Sequence, residues 1–285
     1  MSAADGSNGR TQAEAGSPPR RCAVHVEAAV RWLLRPQRIQ APVWPFTLRR
    51  TAIAGGIAVA VILALMVFVD AAEVRAVGRL PHWVPWFFDQ ITDYGKSGWF
   101  LWPLGLLFLA LAALDQTKLT RWSQAVLAAA MVRVGFLFLA IAVPGLFVTI
   151  VKRMIGRARP LVGGNLDPFR YAPFIWHADY ASLPSGHTTT AFSVLVAFGT
   201  LWPRARTVLW IYALAILASR LVLTAHYPSD VVAGALTGTV GALMVRRYFA
   251  LRRLGFSVGA DGVPHQFPGP SKRRLKALAR DLLAP

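Results

Sequence analysis

Six stretches of this chain are apolar for about the length a helix needs to cross a bilayer: residues 51–69, 98–114, 125–151, 187–203, 207–225 and 230–248. A helix rises about 1.5 Å per residue, so roughly 20 apolar residues match the hydrocarbon layer. No water reaches the backbone there, and a helix pairs its own N–H and C=O groups, so each stretch is expected to be helical. The expectation is an all-α, polytopic membrane protein with six transmembrane helices. Composition agrees: 55% hydrophobic and 15% charged residues leave too little polar surface to clothe a soluble globule. The formal net charge of +18 invites a nucleic-acid reading, but the basic residues are dispersed between apolar runs rather than gathered on one soluble surface. No nucleic-acid partner is expected. Cys22 is the only cysteine, which rules out a disulfide framework or a thiolate metal site.

Charge sets the orientation. Eight Arg precede the first span and nine Lys plus Arg follow from Arg246 onward. Cytoplasmic flanks carry such excess, so both termini are expected in the cytoplasm, consistent with an even number of spans. Lys118 and Arg121, then Arg204 and Arg206, mark two further cytoplasmic loops. Trp83, Trp86, Trp99, Trp102, Trp202 and Trp210 lie near span ends, as belt residues do. Three regions result: 1–50, a cytoplasmic N-terminal region; 51–248, the membrane domain; and 249–285, a basic tail. Residues 1–22 lack apolar periodicity and are expected to be disordered. Ala23 to Arg35 has the spacing of a helix lying on a membrane surface. A long basic segment ahead of the first apolar run suits a retained anchor rather than a cleaved signal. Gly234 and Gly238 form a small-xxx-small pair, read as internal packing.

One outward loop breaks the charge rule. VKRMIGRARP carries Lys152, Arg153, Arg157 and Arg159. The cluster fits either a bound anion, whose oxygens suit arginine forks and a lysine point charge, or cations snorkelling at the interface. The segment LPSGHTTTAF opens the fourth span, where Pro184, Ser185 and Gly186 suit a helix start with unpaired N–H groups, and His187 stands in the first turn. SRLVLTAHYPSD supplies Arg220 within an apolar helix, a costly charge that is either functional or a snorkelling arginine, together with His226 and Asp230 around the next turn. Asp230 stands four residues beyond His226, where its carboxylate can fix the imidazole tautomer.

Together the segments resemble the tripartite signature of the type-2 phosphatidic acid phosphatase family: Lys, six residues, Arg-Pro; Pro-Ser-Gly-His; and Ser-Arg, five residues, His, three residues, Asp. Lys152 to Arg159-Pro160, Pro184 to His187, and Ser219-Arg220 with His226 and Asp230 match at every position. The resemblance covers about residues 50 to 248. It implies six helices with the motifs converging at the extracytoplasmic interface, and neither metal nor organic cofactor. It also implies the roles. Lys152, Arg159, Ser185, Gly186 and Arg220 hold phosphate, His226 attacks phosphorus with Asp230 orienting it, and His187 protonates the leaving group. Arg153 and Arg157 lie outside the signature; either suits a second phosphate or an acidic headgroup, but both read first as snorkelling surface cations. Asp167, Arg170, Tyr171, His177 and Tyr180 lie between the first two motifs with no spacing argument attached.

The implied activity is removal of phosphate from a membrane lipid monoester such as phosphatidate, phosphatidylglycerol phosphate or lipid A, through a phosphohistidine. A polyprenyl diphosphate phosphatase uses the same motifs and is the alternative. A non-catalytic lipid-binding or transport protein is a third reading, disfavoured because no motif residue is missing. The partners expected are the bilayer and a phosphorylated lipid, and the setting a bacterial inner membrane with a periplasmic site. Oligomeric state is not legible.

Overall fold

The computed structural model describes residues 17–116 and 119–283. Its helices among these are α1 (Pro18–Leu34), α2 (Leu48–Phe68), α3 (Asp70–Val77), α4 (Trp83–Thr92), α5 (Gly98–Ala113), α6 (Arg121–Ile155), α7 (Gly186–Leu201), α8 (Arg206–Val222), α9 (Pro228–Leu251) and α10 (Lys272–Leu283). Two short strands, β1 (Phe256–Val258) and β2 (Pro264–Gln266), pair antiparallel with Phe256 opposite Gln266.

Among the described residues, five segments are long and apolar enough to cross a membrane: α2, Trp83–Ala113, α6, Pro203–Val222 and α9. The second of these contains α4 and α5 joined through the 3-10 turn Asp93–Gly95, so it begins well before the sequence boundary at residue 98. The expected fourth span is α7, whose 16 residues reach only about 24 Å. It is an inner helix. Every residue from Thr188 to Leu195 is buried, and the hydroxyls of Thr189 and Ser193 donate to the carbonyls of Gly234 and Gly238. A helix enclosed by protein need not match the lipid thickness. The all-α expectation is corrected by the β1–β2 hairpin, whose three-residue strands are too short to show alternation in sequence.

The chain divides into two compact units. One is built from Met1–Ala41, Trp102–Phe138 and Arg247–Pro285. Its core is Ala112, Leu119, Leu127 and Met131, against which Cys22 and Val26 of α1 pack. Arg21 pairs with Asp115 at 2.6 Å, and Asp281 of α10 accepts from Thr120 and Ser123. Phe136 packs edge-on against Phe249 and Phe256. Helix α1 begins at Pro18, five residues before the expected surface helix. Of the disorder expected for residues 1–22, the helix corrects 18–22, whose turns pack through Cys22 on this core, while residues 1–16 and the charge assigned to Lys118 lie outside the described residues.

The other unit comprises Pro42–Leu101 and Leu139–Arg246. Helix α2 starts at Thr47, whose side chain accepts from Arg50 N–H, and it exposes Ile53, Ile57 and Val67 as a lipid-facing helix does. The core here is Ala191, Phe192, Leu195, Ala213 and Ile216, from α7 and α8. Helix α9 approaches α7 through glycine. A Cβ on Gly234 would stand 2.5 Å from Ser185 O, and one on Gly238 2.3 Å from Thr189 O. That close packing holds the starts of α7 and α9 side by side, with Ser185 N–H donating to Asp230 O at 3.0 Å.

Candidate functional site

All eight sequence-derived site residues belong to this second unit. Lys152 stands on the last turn of α6, which ends at Gly156 with φ +62°. Only glycine fits there, because a Cβ would stand 1.9 Å from Ala172 O. The chain then turns back. Ala158 N–H bonds Arg170 O, Arg159 N–H bonds Asp179 O, and Ser182 N–H bonds Arg157 O. These bonds tie the segment carrying Arg157 and Arg159 to the stretch that leads into α7.

Ser185 caps α7 from an extended conformation, so the first N–H groups of the helix lack intrahelical partners. Lys152 Nζ lies 3.8 Å from where a Cβ on Gly186 would project, which brings the ammonium to that helix start. His187 follows in the first turn, partly exposed. Its ring lies on the backbone of Gly95, where an added Cβ would stand 2.9 Å from His187 Cδ2.

Arg220 is 7% exposed on α8 and donates through Nη1 to Thr92 Oγ1 at 2.6 Å. The snorkelling alternative for Arg220 is thereby excluded. After the turn, His226 and Asp230 are 2% and 0% exposed. His226 Nδ1 lies 3.7 Å from Asp230 Oδ2, beyond hydrogen-bond length. Ser182 Oγ spans the gap, donating to Asp230 Oδ2 at 2.5 Å and standing 3.4 Å from His226 Nδ1. Tyr227 N–H also donates to Asp230 Oδ2, at 2.9 Å.

Electrostatically the site is cationic. Arg159 and Arg220 act on both histidines, and Lys152 and Arg159 act on one another. Burial pushes the His226 imidazole below its ordinary pKa, against the opposing pull of Asp230 and with further lowering from Arg220 and Arg159. A neutral imidazole results, with one nitrogen turned to Asp230 and Ser182 and the other free to act as a nucleophile. Arg159 Nε and Arg220 Nε are buried donors with no hydrogen-bond partner. Unpaired guanidinium donors beside an ammonium and a helix start form a cradle suited to a tetrahedral oxyanion.

One reading from sequence is overturned. Arg157 is not a snorkelling surface cation but fully buried, pairing with Asp70 at 2.7 Å and Asp230 at 2.6 Å. Arg153 instead lies at the loop surface, donating to His177 O with its guanidinium 5.6 Å from the Trp176 ring centroid. Of the loop residues, Asp167 and Arg170 serve the loop itself, bonding Phe169 N–H and Val162 O. Sequence reasoning missed Asp70, Thr92, Gly95, Arg157 and Ser182. Asp70 had a visible signal, being a carboxylate directly after the apolar stretch 51–69, whereas Ser182 carried none.

A model described as the PAP2 superfamily matches residues 133–254, a stretch that contains all three motifs. A lipid A 1-phosphatase of Rhizobium johnstonii is 34% identical over 206 residues, covering 72% of this chain and 83% of the relative. The chain belongs to the PAP2 superfamily. It is an integral membrane protein of mostly helical fold and a lipid phosphatase of that family. A phosphatidylglycerophosphatase B of Escherichia coli is 45% identical over 60 residues, covering 19% of this chain and 24% of the relative. A PAP2-type phosphatidylglycerolphosphate phosphatase from Bacillus subtilis, known as a crystal structure, is 19% identical with a TM-score of 0.46, covering 66% of this chain and 92% of the other.

Proposed function

We propose that this PAP2 phosphatase hydrolyses a phosphate monoester of a membrane lipid of the lipid A type through a phosphohistidine on His226, without a metal ion. The observation that carries the reading is the meeting of a buried neutral imidazole, held at one nitrogen, with unpaired guanidinium donors and a lysine at a helix start. The relative that is similar over most of its length bears the name lipid A 1-phosphatase, which supports that substrate class.

Lys152, Arg159, Arg220, the Ser185 hydroxyl and Gly186 N–H bind the phosphate oxygens and stabilise the charge of the in-line transition state. His226 Nε2 attacks phosphorus as the P–O bond to the lipid breaks. His187 gives its proton to the departing oxygen. The phosphoimidazolium left on His226 is cationic, and Asp230 with Ser182 stabilises its Nδ1–H. Water then attacks phosphorus, His187 takes its proton, and the N–P bond breaks to release inorganic phosphate and the free histidine. Cations fixed in the protein neutralise the phosphate as metal ions do in other phosphatases.

The charge pattern of the flanks supports six crossings with α7 as the inner one, both termini cytoplasmic, and the site at the periplasmic face of an inner membrane. Phosphate release in EDTA from lipid A, phosphatidate, phosphatidylglycerol phosphate and undecaprenyl diphosphate, by wild type and His226→Ala, tests the assignment. Wild-type cleavage of lipid A with an inert variant is expected. Preference for the diphosphate replaces the substrate, and loss of activity in EDTA contradicts the metal-free reaction.

A further inference from the structure

The signature motifs account for Asp230 but not for what surrounds it. Arg157 is wholly enclosed between two carboxylates. Its Nη1 donates to Asp230 Oδ1 at 2.6 Å and to Ser229 Oγ at 2.7 Å, while its Nη2 donates to Asp70 Oδ2 at 2.7 Å. Nε and Nη2 both reach Pro168 O at 3.0 Å, and the guanidinium stacks 4.5 Å from the Tyr227 ring centroid. Asp70 in turn accepts from Ser229 N–H at 3.0 Å and from Ser229 Oγ at 2.6 Å. Asp70, Arg157, Ser229 and Asp230 are each 0% exposed. The carboxylate that serves His226 is therefore clamped at Oδ1 by a cation and at Oδ2 by Ser182 and Tyr227 N–H.

A lone arginine on Asp230 would neutralise it and weaken its hold on a cationic phosphohistidine. A second carboxylate corrects this: Asp70, Arg157 and Asp230 sum to one net negative charge, the complement of an imidazolium. We propose that Asp70 and Arg157 are positioning residues for the reaction, Arg157 fixing the Asp230 carboxylate and Asp70 restoring the negative charge that Arg157 cancels. The proposal rests on His226 being the nucleophile. Neither residue is among those assigned to the phosphate, so they act on the rate through Asp230 rather than on substrate affinity.

The charges involved are defined. Asp230, Arg220, Arg159 and His187 face His226; Asp230, Asp70, Tyr171 and Tyr227 face Arg157; and Glu73 faces Asp70. Removing a negative charge disfavours protonated His226, and removing a positive one favours it. Asp70→Asn should therefore move the acid limb of kcat/KM to lower pH, and Arg157→Gln should move it to higher pH, each by roughly half to one unit for charges linked to His226 through Asp230 in a protein interior. The Asp70→Asn, Arg157→Gln double variant, again with one net negative charge, should return the limb toward the wild-type position. Both single variants should lose at least about tenfold in kcat, with KM within about twofold of wild type.

The measurement is the pH profile of phosphate release by detergent-purified full-length protein on the lipid cleaved best, in a Glu73→Gln background so that Glu73 does not titrate. Opposite shifts restored in the double variant support the proposal. Losses of rate with an unmoved limb, shifts of the same sign, or failure of all three variants to fold assign the cluster to stability and overturn it. Should His226→Ala remain active in the same assay, it is the histidine mechanism that fails, separately from the cluster.

Discussion

At the scale of single residues, the proposed chemistry depends on His226 being neutral while surrounded by Arg159, Arg220 and Asp230. Burial holds its pKa below the ordinary value, so the imidazole is ready for attack at neutral pH and the loss of rate on acidification should fall below about pH 6.5. A pH profile of kcat/KM reads this directly, and an acid limb above that value contradicts it. Lys152 reaches the helix start from another element, so Lys152→Ala should lower kcat and raise KM together, by roughly 100-fold in kcat/KM. Steady-state kinetics on the cleaved lipid checks the split. The motif residues were legible in the sequence because the family signature fixes residue type and spacing. Arg157 was misread because a guanidinium two positions from a motif arginine has no sequence mark of burial. Its carboxylate partner Asp70 lies 87 positions away.

Among elements, the site depends on how closely α9 meets α7. Gly238 brings the two backbones so near that an added methyl would stand 2.3 Å from Thr189 O, and backbone cannot swing aside as a side chain can. Gly238→Ala should cost at least about 1–3 kcal/mol of stability and lower activity with it, read as a fall in Tm of the detergent-purified protein. The small-xxx-small pattern revealed this contact in the sequence, though not its partner. Helix α3 offers a second test. Glu73 is half-buried, its Oε2 has no hydrogen-bond partner, and burial with the nearby Asp70 charge raises its pKa from 4.5 to about 7. The unfolded chain loses this proton near 4.5 while the folded protein keeps it to about 7, so stability from this group falls as pH rises through that window. Glu73→Gln should therefore raise Tm at pH 8 and have little effect at pH 4. An equal gain at both values contradicts the shift. Neither α3 nor α4 was expected, since their short amphipathic turns sit between apolar runs and carry no span-length signal.

For the whole molecule, hydropathy located most spans within a few residues because the bilayer fixes their length, although the second begins at Trp83 rather than at residue 98. The length rule lapses at α7, a 16-residue helix buried in protein, and in the tail hairpin strands of three residues leave no periodicity. Convergence of the three motifs, separated by helices in sequence, is the central claim, and its chemical product is a phosphorus–nitrogen bond on one histidine. An aryl phosphate needs no protonation to leave, so His187→Ala should still transfer its phosphate to His226 but hydrolyse the product slowly. The decisive measurement is mass spectrometry of this variant, quenched at alkaline pH during turnover of an aryl phosphate in EDTA. Phosphate on His226, absent from the His187→Ala, His226→Ala double variant, is the predicted result. Phosphate on another residue, or phosphate release by the double variant at the rate of the single one, would contradict the mechanism.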